Sequence, residues 1–158
     1  MRKWKVACLL VVLALAGCGA DRVGEAANTV EPQLRSFWSR SYAGLEVDDD
    51  RLVVYRTPNP ALDAFVRERA AGVEVEFRDS PYSLDQLQEL TERVTGDGHY
   101  WSTRQFALKM VVPRADGTGV NAIVAAGDID AARAEFRQRY GAEPVFVRPP
   151  ARTGIAPI

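Results

Sequence analysis

Residues 51–78 read RLVVYRTPNPALDAFVRERAAGVEVEFR, and residues 121–148 read NAIVAAGDIDAARAEFRQRYGAEPVFVR. The two stretches align without a gap at an offset of 70, with identities at Val54/Val124, Ala61/Ala131, Ala64/Ala134, Arg67/Arg137, Arg69/Arg139, Val75/Val145 and Arg78/Arg148. Seven identities in 28 positions are few for a chain rich in Ala, Val and Arg, so the pattern carries the argument. Each window runs strand, helix, strand, and each follows a further strand and a turn. A helix that leaves one strand and returns to another makes a right-handed crossover, which sets those two strands parallel. The reading is an α+β chain of two β-β-α-β repeat units joined by a helix, with small mixed sheets and helices on one face. Unit 1 spans 41–82, the linking helix 83–95 and unit 2 106–148, within a domain of 41–148; residues 149–158, rich in proline, form an extended tail.

Local signals support each element. Asp48-Asp49-Asp50 is a turn, because short acidic side chains bond nearby backbone N–H groups. Asn59-Pro60 supplies a cap followed by proline at the first helical position. Leu62, Phe65, Val66 and Arg69 then share a helical stripe that Gly72 ends. VEVEF (73–77) alternates apolar and acidic residues, as a strand with one wet face does, so Glu74 and Glu76 face solvent or a partner. Ser83 and Gln86 have capping-box spacing, with Tyr82 and Leu87 placed as a hydrophobic staple. A loop follows around Gly96-Asp97-Gly98. Phe106 to Val112 is a strand, ADGTG (115–119) a flexible turn, and Val120 to Ala125 the answering strand. Asp128 caps a helix bearing Ile129, Ala132, Phe136 and Tyr140, which Gly141 ends before VFV (145–147). Leu62, Phe65, Leu87 and Phe136 are the candidate core residues beneath the helices.

The amino-terminal stretch is an address. Arg2, Lys3 and Lys5 precede an uncharged apolar run from Val6 to Ala16, whose roughly eleven residues suit a signal-peptide core of ~7–15. A membrane-crossing helix needs about 20. Leu15-Ala16-Gly17-Cys18 resembles the lipobox of bacterial lipoproteins. The resemblance implies cleavage of a 1–17 signal peptide and a diacylglyceryl group on the Cys18 sulfur. Each buried methylene contributes about 0.8 kcal/mol, and two acyl chains anchor where one is marginal. The expected place of work is the outer face of a bacterial cell membrane. Residues 18–40 are read as a lipidated tether, with Leu34, Phe37 and Trp38 beginning ordered structure. Cys8 leaves with the signal, so no free thiol remains for a disulfide, metal site or nucleophile.

Charge excludes one class of partner. The chain has 20 basic and 21 acidic residues; without Arg2, Lys3 and Lys5 the balance is 17 against 21. Nucleic-acid binders carry a basic footprint that this chain lacks. No catalytic constellation is found. His99, the one histidine, has no nucleophile and orienting carboxylate in a recognisable arrangement, and reads as an exposed loop residue. The three aspartates at 48–50 lack the alternating ligands of a calcium loop. Gly117-Thr118-Gly119 lacks the lysine and helix of a phosphate loop. Neither a metal nor a cofactor is expected.

YAGLEVDDDRLVVYRT (42–57), followed by a helix and VEVEFRDSPYSLDQLQELTERV (73–94), resembles one unit of the pro-regions of alpha-lytic-type secreted serine proteases. The likeness covers roughly 42–95, with an echo in 107–148. It implies a surface that inhibits a protease or assists its folding, here in trans, since no protease domain lies within these residues. YWSTRQFALKMVVPRADGTGV (100–120) with FRQRYG (136–141) also resembles small uncharacterised bacterial lipoproteins and membrane-anchored proteins that share this double unit. Trp38, Tyr42, Tyr100 and Trp101 form the candidate binding patch, because large rings near strand ends dominate interfaces; the competing reading places them in the core. The function expected is a non-catalytic module that binds an envelope protein, with protease inhibition or folding assistance as the alternative and an enzyme centred on His99–Trp101 as the remote one. Detergent phase partitioning tests the address: the mature chain should enter the detergent phase, and Cys18→Ala should move it to the aqueous phase.

Overall fold

Both windows fold as strand, helix, strand. The computed structural model describes residues 19–151; Cys18, the 1–17 signal and the end of the 149–158 tail lie outside them. The elements are α1 (Gly19–Phe37), β1 (Tyr42–Asp48), β2 (Arg51–Arg56), α2 (Pro60–Arg69), β3 (Glu74–Asp79), α3 (Leu84–Gly96), α4 (Gly98–Ser102), β4 (Ala107–Pro113), β5 (Val120–Ala125), α5 (Ile129–Tyr140) and β6 (Val145–Arg148). They make an α+β fold with two mixed three-stranded sheets. In each, the middle strand pairs antiparallel with the strand before it and parallel with the strand after the helix. The offset of 70 holds in three dimensions: Leu62/Ala132, Val66/Phe136 and Ala70/Tyr140 are buried at matching positions along the two helices and their ends, and Leu52/Ala122 and Val54/Val124 at matching positions of the middle strands.

The caps form as their chemistry requires. The Asn59 side chain accepts from the N–H groups of Ala61 and Leu62, and Asp128 does the same for Asp130 and Ala131. Ser83 and Gln86 complete a capping box at the start of α3. This helix serves both units. Leu84 belongs to the first core, with Leu52, Val54, Leu62 and Val66, whereas Leu87, Leu90 and Val94 belong to the second, with Val120, Val124 and Phe136.

Three expectations change. Residues 19–37 are not a tether but α1, whose Val23, Ala27, Val30 and Leu34 are buried in the first core. Their spacing of four, three and four residues keeps them on one helical face. Phe37 at the helix end is 78% exposed. The loop after α3 contains a further helix, α4, which inserts Trp101 into the second core. The turn at 115–119 is not a free flexible loop: it is docked on unit 1. The Ser80 hydroxyl sits 3.2 Å from the Gly117 carbonyl, and a side chain at Gly117 would strike Ser80 and Ala43. Gly117 also has φ +67°, a region that favours glycine. A side chain at Gly44 would likewise run into the Ala115 backbone.

If α1 is part of the core, trimming it removes stability from unit 1. Leu34→Ala should lower the unfolding free energy by about 2–5 kcal/mol, read from urea denaturation; a change below about 0.5 kcal/mol would return the segment to a tether.

Candidate functional site

The candidate aromatic patch does not exist as a surface. Tyr42 and Trp101 have no exposed area and lie in different cores. Trp38 is half-buried in the first core beside Phe65, at 5.7 Å between ring centres. Tyr100 is half-buried against the second, its ring held between the guanidinium groups of Arg104 (3.7 Å) and Arg139 (3.8 Å). The rings divide between two separate cores and do not seal a single core between the repeats. The Tyr42 hydroxyl is buried without a hydrogen-bond partner among the described residues; burial raises its pKa, and the Glu31 carboxylate adds to the rise.

The densest polar network surrounds Trp101. Its ring stacks on Phe136 at 3.9 Å, and its Nε1 donates to the Tyr140 hydroxyl at 3.2 Å. Tyr140 donates to Asp97 Oδ2 at 2.8 Å, and Arg139 donates to both Asp97 oxygens at 2.7 and 2.6 Å. Arg139 holds the Asp97 carboxyl below the usual carboxylate range, and burial pushes Tyr140 up to about 12. Charge-assisted bidentate bonds of this kind are the strong ones. Every polar group in the chain of contacts is occupied by another, so the network welds the α3–α4 corner to α5. His99, on α4, is exposed, and its backbone carbonyl accepts from the Ser102 hydroxyl at 2.7 Å and from the Thr103 N–H at 3.2 Å. No group of three or more His, Cys, Asp or Glu among the described residues could hold a metal ion.

The outer faces of the two sheets differ. On the first, Val53 and Tyr55 are buried in the middle of β2. Glu46 and Glu76 flank Val53 in the ladders. Glu76 pairs with Arg51 at 3.2 Å and Arg78 at 2.7 Å, while the Tyr55 hydroxyl donates to Glu46 at 2.9 Å. Glu74 and Glu76 thus face outward as the alternation implied, and Glu76 joins an ionic lattice that the docked 115–119 turn borders. On the second sheet the register brings Met110 beside Ile123, and Val112, Asn121 and Phe146 into one row. Met110 is 54% and Phe146 40% exposed, with the Arg114 guanidinium over the Phe146 ring at 5.0 Å. Sequence reasoning missed this face because LKMVV looks like an ordinary strand until its neighbours are known.

No family model and no curated protein matches this chain. No helix among the described residues is long and apolar enough to cross a membrane.

The network gives a signed pH dependence. The Asp97 carboxyl is depressed in the folded state, so its stabilisation is complete above the unfolded value of about 4 and is lost as pH falls towards the folded value. Asp97→Asn should therefore be less stable than wild type at pH 7, and the gap should narrow below about pH 4, as thermal melts would read. An equal gap at pH 7 and pH 3 would contradict the assignment.

Proposed function

We propose that this chain is a lipid-anchored, non-catalytic module that binds another protein at the outer face of a bacterial membrane. The observation that supports it is the exposure of Met110 and Phe146 on the outer face of the second sheet. An apolar sheet surface left open is a feature that soluble monomers usually avoid and interaction sites keep. The first sheet of the same molecule carries ion pairs and a docked turn on its equivalent face, so the two repeats differ here. The polar network around Trp101 is saturated by its own members and supports a structural role.

The anchor belongs to the same reading. With Cys18 acylated, α1 follows at once, and its first core residue is Val23. Four residues of helix rise only about 6 Å, so the body is held against the bilayer and meets partners that are themselves close to the membrane.

Cross-linking in envelope extracts followed by pull-down tests the reading. Wild-type chain should recover a specific partner, and Met110→Asp with Phe146→Asp should cut that recovery at least about fivefold, since a buried unpaired charge opposes docking. Both positions are exposed, so the variant should fold. Equal recovery by the two, or none by wild type, would count against it.

A further inference from the structure

The two repeats treat the space between their helix and last strand in opposite ways. In unit 1, Arg56 at the end of β2 donates to Asp63 of α2 at 2.9 Å and also pairs with Asp79 of β3. Arg67 lies over the Phe77 ring at 4.8 Å. At the offset of 70, Arg56 becomes Ala126, Asp63 becomes Arg133 and Asp79 becomes Pro149. The second unit has therefore lost both carboxylates and gained a cation on its helix.

The result is an open groove of about 380 Å³ along α5 and β6, lined by Arg133 and Arg137 from the helix and by Val145, Phe146 and Arg148 from the strand. Its charges are poorly balanced. Arg133 meets Asp130 at 2.7 Å, on a carboxylate that is 83% exposed. Arg148 donates to neutral Asn121 at 3.1 Å. Arg137 has no side-chain hydrogen bond or salt bridge among the described residues. Among the described residues, the one ion pair made by these three guanidinium groups is thus Arg133–Asp130, in a chain whose formal net charge is −1.

Strand addition is not what this edge is built for. The Pro144 carbonyl accepts from Val120, so the alternating residues Val145 and Val147 turn their backbone groups to the free edge. The Val147 carbonyl already accepts from Arg133 at 3.4 Å, and Pro149-Pro150 stop the strand. Short edges, proline and basic side chains are the usual protection against pairing. Recognition here falls to the arginines. A flat anionic bilayer is best met by four to eight clustered basic residues, whereas three within a walled groove suit individual carboxylates.

We propose that the α5–β6 groove receives an extended acidic segment of a partner protein, whose carboxylates pair with Arg137 and Arg148. The proposal rests on the protein-binding reading and names the chemistry of that partner. Phe146 and Arg148 alternate with the two valines and so belong also to the outer face, which places the acidic segment beside the apolar surface.

Fluorescence anisotropy of the full chain in detergent, with a labelled peptide alternating Glu and Val and a Lys/Val counterpart, tests it. The Glu peptide should bind, the Lys peptide should not, and binding should weaken between 50 and 300 mM salt as surface charge pairs do. Arg137→Glu with Arg148→Glu should weaken it roughly tenfold or more, while Arg22→Glu on α1 should leave it unchanged; urea midpoints check that the variants fold. Equal binding by the double variant and wild type would overturn the proposal. So would Glu-peptide binding that fails while phosphatidylglycerol vesicles bind and lose affinity in the same variant. If the double variant still captures the envelope partner that Met110→Asp with Phe146→Asp loses, the protein-binding reading stands and the groove assignment falls.

Discussion

Leu84 and Leu87 lie three residues apart on one helix and are buried in different cores. That division is the constraint on which the rest of the molecule depends. Each repeat alone is about 40 residues, a size at which a lone core seldom suffices without a metal, disulfide or partner. α3 relieves this by giving its first turn to unit 1 and its next two to unit 2, so that neither core is complete without it. The docked 115–119 turn adds a second join, through Ser80 and the close approach at Gly44. α1 then closes the first core from the amino-terminal side.

Once the inner faces are shared in this way, the outer faces are free to diverge. Unit 1 spends its outer charges internally, in the Glu46–Tyr55–Arg78–Glu76–Arg51 lattice and in the Asp63–Arg56–Asp79 cluster. Exposed ion pairs contribute little to stability, about 0–1 kcal/mol each, so the lattice matters more for what it covers than for what it adds. Unit 2 differs: its outer sheet face exposes Met110 and Phe146, and its helix–strand groove is lined with arginine. Divergence of one repeat from the other is the physical basis of the functional proposal. The polar network at Asp97 belongs to the stabilising half of the molecule, since each of its members is paired.

Much of this was legible in the residues. The offset of 70 carried the β-β-α-β order, the parallel pairing and the inward positions of Leu62, Phe65 and Phe136, because helix and strand periods are written in the placement of apolar side chains. Capping at Asn59, Ser83 and Asp128 followed from side-chain chemistry alone. α1 was harder to see: Val23, Ala27, Val30 and Leu34 do share a helical face, but Gly24, Asn28, Thr29 and Pro32 between them make the segment look like a linker. α4 is only five residues long, too short for a period to show, and the tertiary pull on Trp101 decides it. The docking of the 115–119 turn depends on a contact with Ser80, 37 residues away, which no local pattern encodes. The site was less visible still. Trp38, Tyr42, Tyr100 and Trp101 attract notice by type, yet packing buries Tyr42 and Trp101 and half-buries the other two, while the exposed Met110 and Phe146 emerge from the pairing of β4, β5 and β6.

Native-state hydrogen exchange addresses the shared helix most directly. The amides of Val54 in β2 and Val124 in β5 sit in the middle strands of the two sheets. If α3 makes one cooperative body of both units, these amides should open with the same free energy, within about 1 kcal/mol, and with the same denaturant dependence. If one sheet exchanges through a separate opening lower by about 2 kcal/mol or more while the other stays protected, the two cores are independent and the account fails.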